Sequence, residues 1–292
     1  MTDLSVIVAG VETALTDEAP FWVESIEGAD AAPLHRLLER GPQQHGDSDA
    51  GFRLDPREIE LVIGFRTTGL SDASRRSLLA PFKPRNTAGI FRAALDTGLV
   101  LQIDWHAARG PLMPRRGRDL DVQRAAVVLR CADPRFYDPD QHAVDFGLGG
   151  GGDAFEVPLT VPVEVGASTL DQSIVITYAG DLLEHPTVIV TGPIDDCVIT
   201  NETTGETLDF TGLSLGAGET RTLDLRYGYK TVVDELGANA LADLTDASDL
   251  ATFHLAADPD APGGNNSLRV TGSAVTTATA VRMRYYDRYS GF

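Results

Sequence analysis

Apolar and polar residues alternate with period two along much of the chain. From Glu58 to Thr67, Ile59, Leu61, Ile63 and Phe65 fall on one face, with Glu58, Glu60 and Arg66 on the other. That pattern predicts a half-buried strand. Leu99–Trp105 alternates in the same way, and Val122–Cys131 is β-prone. The Pro/Arg/Gly stretch Arg109–Asp121 between them is placed as the tip of a long hairpin. Ser5–Ala9 and Phe21–Ser25 predict two further strands. Helical spacing occurs twice. Asp30 offers an N-cap, Leu34, Leu37 and Leu38 recur at three and four residues, and Gly41 stands at C′, which predicts a helix there. Residues 42–56 are polar and punctuated by Gly and Pro, so they predict a loop. Ser71–Leu79 predicts a short helix stopped by Pro81 and Pro84.

The second half reads as nearly all β. The predicted strands are Val157–Val165, Gln172–Tyr178, Thr187–Thr191, Cys197–Asn201, Glu206–Phe210, Thr220–Arg226, Phe253–Leu255, Ser267–Val270 and Ala278–Tyr286. Turn formers separate them at short intervals, a rhythm that indicates a β-sandwich. One short helix is expected at Asn239–Leu244. Residues 147–152 read Gly-Leu-Gly-Gly-Gly-Gly, a flexible linker by composition. The expected organisation is a mainly β chain. Residues 1–146 form an α+β domain with a long hairpin and one or two helices, 147–152 a linker, and 153–292 a sandwich.

Charge sharpens this division. The chain of 292 residues has a net charge of −19. Residues 1–150 hold 17 basic and 22 acidic side chains, and residues 151–292 hold 7 and 21. An acidic chain lacks the basic face that nucleic-acid readers need, and anionic membrane surfaces repel it. The N-terminus has no positive region and too short an apolar run for a signal peptide. No stretch approaches the roughly 20 apolar residues of a membrane span. These features predict synthesis and folding in a cytoplasm.

Catalytic chemistry has no foothold in the sequence, so no enzymatic activity and no cofactor is expected. The glycine run lacks the Gly-Lys-Ser/Thr of a phosphate loop and is followed by strand-like residues rather than a helix. The six histidines (35, 45, 106, 142, 185 and 254) show no metal-ligand spacing. Cys131 and Cys197 fit no zinc or redox pattern and read as buried small hydrophobes. The acidic groups Asp195-Asp196, Asp243/Asp246/Asp249 and Asp258/Asp260 match no calcium loop and read as solvated. Both tryptophans, Trp22 and Trp105, fall in the first half, which weakens a lectin reading of the sandwich. Tyr285 alternates into the core with Val281 and Met283, while Tyr289 and Phe292 are free to anchor the tail against a neighbouring subunit.

Three segments carry a family resemblance. Arg130-Cys131-Ala132-Asp133-Pro134-Arg135-Phe136-Tyr137-Asp138 resembles the end of the N-terminal domain in distal tail proteins of long-tailed, siphovirus-like phages. Tyr178-Ala179-Gly180-Asp181 with Pro186–Pro193 is similar to that family's Asn-x-Gly-Asp … Pro … Ile-x-Ile-x-Gly-Pro stretch, continuing through Ile199-Thr200-Asn201 and Thr203-Thr204-Gly205. Leu215–Glu219, Leu223-Asp224, Pro262–Leu268 and the closing Val281–Tyr289 strand are similar to it as well. The first 50 residues and the glycine run depart from the pattern.

The resemblance implies a structural virion protein of the tail tip, assembled in the host cytoplasm. It implies a ring, expected to be six-fold, formed by the N-terminal domain and stacked on the tail tube, with DNA passing through the lumen. A galectin-like sandwich would point outward. The hub lies below, and tape-measure and receptor-binding proteins are further expected partners. On this reading, Glu58–Thr67 and Leu99–Cys131 suit edge-to-edge pairing around the ring. Arg109, Arg115, Arg116 and Arg118 would dock on acidic surface of a neighbour. An acidic lumen would repel the DNA phosphates, although the ring-forming half carries only −5. The competing reading is an adhesin that binds a receptor or carbohydrate through the sandwich.

Overall fold

A computed structural model describes residues 3–16, 20–66, 71–114, 121–147 and 168–292. The chain is mainly β and divides into two compact units, Met1–Pro139 with Tyr289–Phe292, and Asp140–Arg288.

The first unit contains β1 (Asp3–Val8), β2 (Val11–Ala14), β3 (Phe21–Glu27), β4 (Leu34–Glu39), β5 (Ser48–Leu54), β6 (Arg57–Arg66), α1 (Ser71–Leu79), β7 (Gly89–Ala94), β8 (Val100–Leu112), β9 (Val122–Cys131) and β10 (Phe136–Tyr137). Its main sheet runs β2-β1-β7-β8-β9-β6-β3, with β10 pairing β8 off this path. The predicted alternation is what buries it. Ile59, Leu61, Ile63 and Phe65 of β6 pack with Ala125, Val127, Leu129 and Cys131 of β9 and with Leu101, Ile103 and Trp105 of β8. Ser71–Leu79 is helical, with Asp72 in its first turn and Arg76 in its last, and Leu78 is buried beneath it.

Two expectations for this unit fail. The segment around Leu34–Leu38 is not a helix but the strand β4, and residues 48–54 of the expected loop are its partner β5. Leucines at i, i+3 and i+4 signal a helix only when a core takes up that face. Here all six β4 residues are exposed, so the spacing carries no packing information. Glu58–Thr67 and Leu99–Cys131 also do not supply sheet edges. β6 lies between β3 and β9, and β9 between β6 and β8, so the main path ends on β2 and β3 instead.

The second unit contains β11 (His142–Phe146), β12 (Leu170–Thr177), β13 (Thr187–Thr191), β14 (Ile194–Asn201), β15 (Glu206–Asp209), β16 (Ser214–Leu215), β17 (Thr220–Asp224), β18 (Thr231–Asp234), β19 (Asn265–Ser273) and β20 (Ala280–Tyr285). One sheet runs β11-β20-β13-β17-β18, and the other runs β12-β19-β14-β15 with β16 on β14. Inward residues of both meet in one core: Val188, Val190, Leu223, Val281 and Met283 from the first, Ile176, Ile199, Leu268 and Val270 from the second. This is a β-sandwich. A short strand, β21 (Arg288–Tyr289), follows.

The division between units falls after Pro139 rather than at the glycine run, because β11 pairs along β20. The expected strand Val157–Val165 and residues 148–152 of the run lie outside the described residues. Phe253–Leu255 is not a strand; Leu255 makes a single bridge to Glu184. A 3-10 turn, Leu241–Asp243, stands where the short helix was expected.

Motif residues of the sandwich close its turns. Asn266 is fully buried and its Nδ2 donates to the Ala256 and Gly264 carbonyls, while its Oδ1 accepts from Ala256 N. Asn201, also buried, donates to the His254 carbonyl at 2.8 Å. Together they peg the long 254–266 crossover onto the sheet, satisfying polar groups that burial would otherwise penalise. Gly264 has φ +71, and a Cβ there would stand 1.9 Å from the Tyr178 carbonyl oxygen, so the turn admits no side chain.

Candidate assembly interface

Among the described residues, β4 and β5 pair only with each other. Their sequences alternate poorly, and the register shifts between Arg36 and Leu38. No face of β4 is buried, and five of the seven β5 residues are exposed. Leu34, Leu37, Leu38 and Phe52 are 53%, 40%, 57% and 57% exposed. Cross-strand charge supports the pair: Arg36 Nη1 donates to Asp49 Oδ2 at 2.8 Å and lies over the Phe52 ring at 5.9 Å. A lone two-stranded hairpin is marginal in water, and clustered exposed apolar residues mark binding surfaces. The hairpin is thus an arm that presents exposed apolar side chains.

The base of the arm is rigid by contrast. Arg57, at the start of β6, is fully buried. Its Nε donates to the Pro134 carbonyl at 2.9 Å, and Nη1 donates to the Gly28 and Asp30 carbonyls at 3.0 and 2.7 Å. Nη2 donates to the Ser290 carbonyl, and the guanidinium lies 4.9 Å from the Phe136 ring centroid. Burial lowers its pKa, and the four carbonyls take up the donors that burial strips of water. The tail completes the clamp. Phe292 N donates to the Ala29 carbonyl at 3.2 Å, Ala32 N to Ser290 Oγ at 3.3 Å, and the Phe292 ring meets Phe136 edge-on at 5.5 Å.

The expected interface residues divide accordingly. Tyr289 and Phe292 are partly buried and pack against the first unit's own core. The missed partner was Phe136, which stands in the quoted Asp-Pro-Arg-Phe-Tyr motif. Arg109 is exposed, in β8 rather than in a loop, opposite Val128 and at a register shift that re-aims side chains. Arg115, Arg116 and Arg118 lie outside the described residues. Arg57 carried no sequence signal, since arginines are rarely buried.

Groups considered for chemistry are occupied structurally. Cys131 and Cys197 are free and buried, and burial pushes both thiols up to about 12. Asp195 accepts from Ser214 Oγ, Asp196 from Gly212 N, Asp243 from Arg221, Asp249 from Thr207 N and Asp258 from Gly263 N. These five acidic residues are each engaged in hydrogen bonds within the sandwich.

No family model and no curated protein sequence matches the chain. Its fold does match solved structures. The Dit (gp 19.1) protein of phage SPP1, described as a paradigm of the hub adsorption apparatus in phages that infect Gram-positive bacteria, superposes with a TM-score of 0.63 at 14% identity, over 98% of both chains. Chains of the phage p2 baseplate in its activated conformation align over their full length at 6% and 7% identity, with TM-scores of 0.47 and 0.46. The chain shares the SPP1 Dit fold from end to end.

Proposed function

We propose that the chain is a structural, non-enzymatic component of a phage tail tip, a distal tail protein. The observation that carries this reading is the end-to-end fold shared with SPP1 Dit, which agrees with the motif resemblance in the sequence. The first unit forms a homo-oligomeric ring, six-fold by analogy, between the tail tube and the hub. The β4–β5 arm docks on the next copy, and its clamped base fixes the angle at which it leaves the subunit. A heterologous contact of this kind closes into a ring when the rotation closes. The sandwich, galectin-like on this reading, faces outward toward adsorption proteins, and DNA passes through the lumen. Fold alone fixes no chemistry, so the test is assembly. Light scattering and negative-stain imaging of the purified chain should show rings with six-fold symmetry; a monomer at tens of micromolar would overturn the reading.

A further inference from the structure

The sandwich carries two exposed tyrosines on one tight turn. Arg226-Tyr227-Gly228-Tyr229-Lys230 joins β17 to β18, and Tyr227 and Tyr229 are 60% and 59% exposed. Gly228 and Lys230 both have positive φ, and Tyr229 N donates to the Arg226 carbonyl. Each ring is held from behind. Tyr227 stands edge-on to the buried His185 at 4.7 Å, and Lys230 Nζ lies 5.7 Å from its centroid. His185 is fixed by Nδ1, which donates to the Phe253 carbonyl at 2.8 Å. The Arg226 guanidinium lies 4.7 Å from the Tyr229 centroid and is itself clamped by Asp224, at 2.9 Å from Nε and 2.6 Å from Nη2.

We propose that this turn is a saccharide-binding platform. Two pre-oriented rings offer apolar faces to the C–H surface of sugar rings, at little entropic cost on binding. Arg226 and Lys230 lie against the rings and carry donors for sugar hydroxyls. Scale favours a sugar over a protein. The two tyrosines expose roughly 250 Å² together, well short of the ~800 Å² per partner of a stable protein interface. Charge favours a neutral sugar over a polyanion. The Asp140–Arg288 unit holds only seven basic residues against 23 acidic ones, and its field repels anionic polymers. The platform does not depend on the ring, so either reading can fail alone.

The test uses the full chain on a panel of glucose-, galactose- and N-acetylglucosamine-containing oligosaccharides. At least one should bind, with amide shift changes centred on 226–230. Tyr227→Ala and Tyr229→Ala should each weaken it about tenfold, and Tyr227→Phe and Tyr229→Phe should stay within about twofold. Absence of binding across the panel overturns the proposal. So does binding whose shift changes lie elsewhere, binding indifferent to loss of both rings, or a loop occupied by another tail protein instead.

Discussion

Arg57 donates a hydrogen bond to the backbone carbonyl of Ser290, across 233 residues of sequence. The same guanidinium holds Gly28 and Asp30 at the foot of the β4–β5 arm and Pro134 beyond β9. Arg57→Met would keep the volume and strip the carbonyls of their donor. Leaving buried carbonyls unpaired costs about 1–3 kcal/mol each, so with four of them the expected loss is about 4 kcal/mol or more, read as a lower urea midpoint. Arg57→Lys should recover only part of it, because an ammonium cannot span the positions that a planar fork reaches.

Gly291 tests the tail. A Cβ there would stand 1.9 Å from the Asp30 carbonyl oxygen and 2.5 Å from that of Ala29, and these backbone atoms cannot yield cheaply. Gly291→Ala should free the tail at a cost of about 1–3 kcal/mol. Hydrogen exchange should quicken at Ala32 and Phe292, while the amides of β13 and β17 stay protected.

The arm should separate assembly from stability. Leu38 and Phe52 are more than half exposed, so Leu38→Asp with Phe52→Ser should change the melting of the lone subunit by no more than about 0.5 kcal/mol per site. The same pair should abolish oligomers in sedimentation velocity. Oligomers that persist would move the interface away from the arm.

Acid should act on the sandwich. A hydrogen bond from Arg282 holds the Asp145 carboxyl below its ordinary value of 3.8. Bonds from Thr211 and Thr245 do so for Asp209. Asp224 is pushed up by burial, but its bonds from Arg226 prevail and its pKa is also lowered. Carboxyls with depressed folded-state pKa values contribute stability that is fully present above the unfolded value and lost as pH falls through the folded one. Stability should therefore be level in these groups from pH 5 to 8 and fall below about pH 4. Asp224→Asn should reduce that acid dependence in denaturant titrations.

Much of this fold was legible in alternation. β6, β8, β9, β13 and β20 bury one face and expose the other, and period two records that. Ser71–Leu79 was legible because a core takes up Leu78 and Pro81 ends the run. β4 was misread because nothing among the described residues covers it, so the spacing of Leu34, Leu37 and Leu38 records no core. β7 escaped because Gly89, Ala93 and Ala94 are poor strand formers, although Phe91 and Ala93 are buried. The arm's base was invisible because Arg57, Pro134 and Ser290 are joined through backbone carbonyls, which no side-chain pattern reports. Tyr227 and Tyr229 carried no sequence signal, since tyrosines around a turn glycine are ordinary loop residues until Arg226 and Lys230 are placed against their rings.

The membership of residues 289–292 in the first unit sets a timetable during translation. The first unit leaves the ribosome early, yet its clamp stays open until the sandwich, Asp140–Arg288, has also been made. At roughly 5–20 residues per second those residues delay closure by about 7–30 s. Until then the arm hangs from an unfinished hinge. A fragment of residues 1–139 alone would therefore lack the groups that close its base.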